Sequence, residues 1–389
     1  MLNLSAPPPL SLYTHYPWCV RKCPYCDFNS HQVNGDIQEA DYIAALLRDL
    51  EQHLPAVWGR QVQSIFIGGG TPSLISPDGL DSLLSQLRAL LPLLPECEIT
   101  LEANPGTVEQ GRFTAFRQAG VNRLSIGVQS FDDKALQSLG RIHSGAEAAA
   151  AAEAAHAAGF DNFNLDLMFG LPGQGPKSAA ADLRQALALA PSHLSWYQLT
   201  IEPNTAFAHT PPVLPEEEAL WAIQSQGQAL LAESGYGQYE VSAYAREGRR
   251  CSHNLNYWRF GDYLGIGPGA HGKITHCADG RIERIWKNRH PREWLTAQQG
   301  AAMIAGRSEL SRADLVLEFM MNALRLVDGF DSELFAAQTG LPLSAAQAPL
   351  QRAEELGLIS WNTERIVPTE RGRDYLNELL GLFMPEGTS

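Results

Sequence analysis

Cys19-Val20-Arg21-Lys22-Cys23-Pro24-Tyr25-Cys26 places three of the chain's six cysteines within eight residues, spaced C-x3-C-x2-C. An apolar and aromatic run containing Leu12, Tyr13, Tyr16 and Trp18 leads into it. Thiolates are soft ligands that select iron–sulfur clusters, zinc or copper. Three so close together hold three corners of a cubane [4Fe–4S] cluster and leave the fourth iron open to an outside chelator. A structural zinc site is instead closed by a fourth ligand, which here would be His15 or His31. Tight zinc knuckles usually show two separated ligand pairs, and no second pair follows. The spacing therefore predicts an open cluster on Cys19, Cys23 and Cys26, with zinc as the alternative.

Working outward, the chain alternates. Positions 38–53 carry Tyr42, Ile43, Leu46, Leu47 and Leu50 at helical spacing. An apolar strand at 64–67 runs into Gly68-Gly69-Gly70-Thr71, followed by a proline-capped helix at 77–91. A strand at 99–103 ends at Asn104-Pro105, and a helix reaches 118. Strands at 123–129, 163–168 and 194–201 alternate with helices at 132–138, 145–158 and 179–189. The near-polyalanine 146–158 reads as an ordinary surface helix, since alanine is the best helix former. This alternation predicts a parallel sheet with helical crossovers. Six βα steps are too few for a closed eightfold barrel. An α/β fold, an open partial (β/α)6 barrel, is expected over 1–245.

A helix at 215–234 and an aromatic strand at 236–244 lead to a connecting region, 246–305. It holds Cys251-Ser252-His253-Asn254-Leu255-Asn256-Tyr257-Trp258 and the glycine-rich run 265–272. Helices at 310–327, 331–338 and 344–356, a hairpin pairing 358–361 with 365–368, and a last helix at 369–380 predict a small α+β, winged-helix-like domain over 306–389. Such modules often bind DNA. From position 307 onward, however, there are seven arginines, no lysine and thirteen acidic residues, a net −6 that would repel phosphate.

Composition narrows the rest. The 389 residues, 44% hydrophobic and 19% charged, support a large domain plus a smaller one. No apolar run approaches the ~20 residues of a membrane span, and the proline-rich start lacks a basic signal region. The net charge of −14 argues against nucleic acid and anionic membranes as partners. Cys97, Cys251 and Cys277 are scattered, so no disulfide framework emerges and a reducing cytoplasm is expected.

Ligands of parallel α/β sheets sit at the carboxyl ends of the strands. Gly69, Gly70 and Thr71 lie at one such end, where glycines allow close backbone approach. Glu102 ends the third strand, Gln129 the fourth, Arg141 follows in the next loop, and Asp166 interrupts an apolar strand. Charged groups are rarely buried unpaired, so an Asp166–Arg141 core ion pair is the alternative to a ligand site.

The cysteine triplet resembles that of the radical S-adenosylmethionine (SAM) superfamily. There the amino and carboxylate groups of SAM chelate the open iron, and an electron from the cluster cleaves the sulfonium to a 5′-deoxyadenosyl radical. More narrowly, the whole chain from Tyr13 onward resembles the HemN/HemW family, the anaerobic coproporphyrinogen III oxidases and their relatives. The resemblance implies that Tyr13, the backbone of Tyr25, Gly69, Gly70, Thr71, Glu102, Gln129, Arg141 and Asp166 contact SAM. The oxidases carry a further cysteine, C-x3-C-x2-C-x-C, where this chain has Phe28, and a longer N-terminal extension. His253-Asn254-Leu255-Asn256-Tyr257-Trp258 matches the HNxxYW motif of the family's haem-chaperone branch. That branch implies haem as bound cargo, haem-accepting proteins as partners, an electron donor for the cluster, and no porphyrinogen oxidase activity. His253 is then the expected axial ligand, with a Cys251 thiolate as the alternative. Tyr257 and Trp258 would flank the macrocycle. A hydrogen-bonded corner built on His253 and Asn254 is the competing reading, and a radical SAM oxidase the competing function.

Overall fold

A computed structural model describes residues 2–33, 35–107, 110–297 and 300–385. Its frame is a twelve-stranded sheet. Six strands are parallel and consecutive: β1 (Leu10–Tyr16), β2 (Val62–Gly69), β3 (Leu93–Ala103), β4 (Arg123–Gln129), β5 (Phe163–Phe169) and β6 (His193–Gln198). Between them run α1 (Glu39–Glu51), α2 (Pro77–Leu90), α3 (Gln110–Ala119), α4 (Gly145–Ala157) and α5 (Pro176–Ala188). The open six-step α/β architecture is thus as expected, and the sheet has two free ends rather than closing.

Burial explains the strand patterns. Every residue of β5 is buried except Asp166, and every residue of β1 except Tyr13. A strand covered on both faces reads as a continuous apolar run, and in each case the odd residue out borders a cavity. The alanine-rich α4 is more than a surface helix. Ser144 and Glu147 form a capping box at its start. Ala148, Ala151, Ala152 and Ala155 are buried, where small side chains let the helix lie close to its neighbours.

Both ends of the sheet are extended by antiparallel strands. After α6 (Glu217–Glu233), the segment expected as one strand at 236–244 forms two, β7 (Gly237–Glu240) and β8 (Ala243–Ala245), and β8 pairs with β6. The 246–305 stretch supplies α7 (Ser252–Trp258), β9 (Asp262–Ile266), β10 (His271–His276) and β11 (Arg281–Lys287). β9 runs parallel to β1, and β10, β11 and β12 (Ile304–Glu309) continue outward antiparallel.

Beyond β12 lie α8 (Arg312–Ala323), α9 (Ser332–Thr339) and α10 (Gln347–Glu355). A small sheet joins β13 (Phe330–Asp331), β14 (Ile359–Trp361) and β15 (Arg365–Pro368), with β15 central. The expected last helix is split into Glu370–Asp374 and Leu376–Gly381. This module shares its core with the main body: Phe319 of α8 packs edge-on against Phe260 at 5.8 Å, and Leu4 joins the same cluster. Among the described residues, no helix is long and apolar enough to cross a membrane.

Candidate functional site

The turn after β2 is fastened to the strand that enters the cysteine loop. Gly70 N–H donates to Tyr16 O at 2.6 Å and Thr71 N–H to Trp18 O at 2.8 Å. Gly69 has φ of +117° and donates to Glu102 Oε2 at 3.0 Å. All three amides are therefore engaged, and what this turn offers a ligand is carbonyl oxygen. The glycines are needed for proximity: a Cβ on Gly70 would stand 2.5 Å from Trp18 O.

A cavity of about 330 Å³ opens at the carboxyl ends of the parallel strands. Cys19, Cys23 and Cys26 line it together with Tyr25, Gly69, Gly70, Thr71, Glu102, Gln129, Arg141 and Asp166. Residues from six separate stretches of chain, read as candidates one at a time, thus converge on one volume. Tyr13 and His253 do not line it. Tyr13 faces a neighbouring cavity, its hydroxyl 3.0 Å from His15 Nδ1.

The donor set fits a cubane with one open corner. All three cysteines are free thiols, and among the described residues no histidine lines the cavity. His15 cannot close a zinc site, because its Nδ1 meets Tyr13 and its Nε2 meets Asn29 O at 2.9 Å. His31 lies outside the cavity, its Nε2 3.2 Å from Asn29 Oδ1. Burial raises the Cys19 and Cys26 thiols, opposed at Cys19 by the Thr71 hydroxyl and at Cys26 by Ser30, whose Oγ lies 3.5 Å from Cys26 Sγ.

Opposite the thiols stands an acidic wall set by strand register. Glu102 on β3 faces Ser125 on β4, and Gly127 faces Asp166 on β5, which faces Ser195 on β6. Asp166 accepts from Ser125 Oγ at 3.1 Å and Asn164 Nδ2 at 2.8 Å. No ion pair joins it to Arg141. That guanidinium donates to Gly127 O at 2.6 Å and to Cys23 Sγ at 3.6 Å, so the core-pair alternative does not hold. Gln129 sits at a β-bulge with φ of +68°, a conformation disfavoured for a side-chain-bearing residue and found at functional sites. Tyr197 Oη holds it, donating to Gln129 Oε1 at 2.8 Å. Ser125, Ser195 and Tyr197 were not legible as site residues. Hydroxyl side chains in strands carry no periodic signal, and only the pairing register places them.

Burial pushes Glu102 up to about 7, with Asp166 adding repulsion and the Gly69 amide opposing both. Asp166 is also raised by burial. Between the ordinary 4.5 and about 7, the folded state holds a proton that the unfolded state has released. Stability accordingly falls as pH rises through that window. Because the cavity admits water, the loss is on the order of 2 kcal/mol rather than the full linkage value. Glu102→Gln is expected to remove this dependence and stabilise the ligand-free protein at pH 8 while changing little at pH 4.5. Urea denaturation at the two pH values checks it, and equal destabilisation at both would refute the assignment.

The HNxxYW segment forms α7. Glu98 caps its start, accepting from the backbone N–H of Ser252 and of His253, each at 3.1 Å, and from Cys251 Sγ–H at 3.4 Å. Cys251 is fully buried and its thiol is pushed up to about 12 by burial, so it is a protonated donor rather than a thiolate. His253 is 2% exposed, stacked on Phe66 at 5.0 Å with Nδ1 3.0 Å from Ser64 Oγ. Burial pushes it down to about 3, keeping it neutral. Trp258 lies under the guanidinium of Arg325, 4.4 Å from the ring centre, and so packs toward the C-terminal module.

A parallel half-barrel with three open thiols at its mouth defines the class. Residues 13–186 match the Radical SAM superfamily and residues 310–375 the HemN C-terminal domain. The solved structure of coproporphyrinogen III oxidase (HemN) from Escherichia coli, a radical SAM enzyme, superposes with a TM-score of 0.82 at 24% identity, covering 97% of this chain and 90% of that one. At that identity the likeness speaks for fold. Sequence relatives go further. The heme chaperone HemW of Escherichia coli (strain K12) is 53% identical, covering 97% of this chain and 99% of that protein. The heme chaperone HemW of Haemophilus influenzae is 50% identical over the same shares. The chain belongs to the HemW family of the radical SAM superfamily. Membership of the superfamily implies SAM and a [4Fe–4S] cluster.

Proposed function

We propose that this protein is a haem chaperone: it binds haem and passes it to acceptor proteins, and it carries a SAM-chelated [4Fe–4S] cluster on Cys19, Cys23 and Cys26. The observation that carries this reading is full-length similarity, at about half identity, to relatives named heme chaperones. The cluster, when bound, supplies a reducing electron and an open iron for SAM. The chain's own residues then bind and orient. Glu102 and Asp166 accept from the ligand's amino and hydroxyl groups and balance its sulfonium charge. The Gly69–Gly70 carbonyls accept from the amine, and Tyr25 offers its backbone. Gln129, held by Tyr197, is aimed by its bulge, and Arg141 faces Cys23 and steadies the charge of the thiolate set. Phe28, where the oxidases have a cysteine, leaves no further thiol in the loop.

An electron donor for the cluster, a haem acceptor and a cytoplasmic location complete the proposal. The shared fold with an oxidase motivates the second reading, SAM-dependent decarboxylation of coproporphyrinogen III. Cluster-loaded protein is expected to take up haem saturably, to hand it to apo-acceptors, and to leave coproporphyrinogen III unchanged with SAM and reductant. Decarboxylation without haem uptake would sink the chaperone reading.

A further inference from the structure

A second cavity, about 400 Å³, adjoins the cluster cavity and shares Phe28 with it. That volume falls within the roughly 300–1,000 Å³ of small-molecule sites. Tyr13, Tyr257, Tyr263, His271 and Arg289 are among its other walls. Its position is fixed by Asn29, whose Nδ2 donates to Pro268 O and to Arg289 O, both at 2.9 Å. The loop that carries the cysteines is thereby bolted to the glycine-rich run and to the arginine across the cavity. Gly269 permits this contact: its φ is +76°, and a Cβ there would meet Asn29 Nδ2 at 2.4 Å.

The lining has the chemistry of a flat, apolar, dianionic, metal-centred ligand. Phe28 is 62% exposed at the junction of the two cavities, a large ring without cover. Tyr257 and Tyr263 meet edge to face at 4.4 Å and present amphipathic rings on the far side. Arg289 supplies a permanent cation suited to a carboxylate. His271, at the start of β10, is exposed, and its imidazole has no hydrogen-bond partner among the described residues. A neutral imidazole is a good axial ligand for haem iron.

His253 offers iron no comparable access. It is 2% exposed, and two cavity-lining rings stand against it: Tyr257 at 4.9 Å and Tyr13 at 6.5 Å. The motif instead positions Tyr257, with His253 as the backing of that wall.

Resting on the haem-chaperone reading above, we infer that the haem cargo seats in this second cavity. Its iron is ligated by His271, its ring lies against Phe28, Tyr257 and Tyr263, and Arg289 takes a propionate. The cluster loop then forms one wall of the haem seat, so that both sites share Phe28.

Full-length protein titrated with haem is followed by absorbance and by EPR of the ferric form. Wild type is expected to show a histidine-ligated spectrum. His271→Ala should lose that signature, with affinity falling about tenfold because the macrocycle's apolar contacts remain. Added imidazole should restore the spectrum. His271→Met, a second variant, should shift the spectrum toward thioether ligation rather than erase it. Wild type should prefer haem to its dimethyl ester, and Arg289→Ala should lose that preference. Haem bound by wild type with an unchanged spectrum in both His271 variants overturns this assignment alone. A wild type that takes up no haem overturns the chaperone reading, and this seat falls with it.

Discussion

Alanine at any one of Cys19, Cys23 or Cys26 is expected to strip essentially all iron from the chain. A cubane held by three protein thiolates has no ligand to spare, and among the described residues no other cysteine and no histidine lines the cavity that gathers these three. The remaining thiols cannot substitute: Cys97 is buried on β3, Cys251 is buried at the start of α7, and Cys277 packs near the C-terminal module. Anaerobically reconstituted wild type should contain about four irons and four sulfides per chain, and SAM should alter the EPR signal of the reduced cluster. Each cysteine variant should fall at least tenfold in iron, whereas Cys277→Ala should load normally. Because burial holds the Cys19 and Cys26 thiols above their ordinary range, loading must expel protons and should be faster and tighter at pH 8.5 than at pH 7. Zinc in place of iron, or a reduced spectrum blind to SAM, would end this assignment.

The parts of the fold that could be read in advance share a physical property: their signal is local. An apolar run with one charged interruption, as in β5 with Asp166, needs only its own residues to declare a buried strand with a functional group. The cysteine spacing and the glycine turn are equally local. What escaped reading depends on pairing across long separations. β9 joins β1 in parallel register, Leu12 opposite Leu264, some 250 residues apart, and nothing in the 246–305 stretch announces that partner. Its glycines looked like connection because glycine favours turns. Gly265 instead lets two backbones approach, a Cβ there standing 2.0 Å from His271 O. The same limit hid Ser125, Ser195 and Tyr197, which join the site only through register. It also hid the enclosure of His253, since the cover comes from Phe66 on β2 and Tyr13 on β1. A motif names residues that matter together, but which of them faces a cavity is decided by neighbours from elsewhere in the chain.

Gly70→Ala is expected to damage the cluster site severely although it adds a single methyl group. The new Cβ would stand 2.5 Å from Trp18 O and 2.8 Å from Trp18 C, both backbone atoms that no rotamer change can move aside. Relief requires the β2 turn to lift from the strand entering the cysteine loop. That movement strains the Gly70 N–H bond to Tyr16 O and the Thr71 N–H bond to Trp18 O. It also withdraws the Thr71 hydroxyl from Cys19, the residue that follows Trp18. Overpacking of this kind costs typically 1–3 kcal/mol, and here the distortion falls on a cluster ligand. Iron content should drop more than fivefold and SAM affinity with it, even in the folded fraction. Gly111→Ala is the control. Gly111 lies in α3, and a Cβ there would meet nothing within 4 Å, so alanine should stabilise by about 0.5–1 kcal/mol and leave iron loading untouched. Denaturation midpoints and iron per chain for the two variants decide the matter. If Gly70→Ala loads iron like wild type, the glycine turn does not set the position of Cys19, and the close packing of these two backbones has no bearing on the cluster.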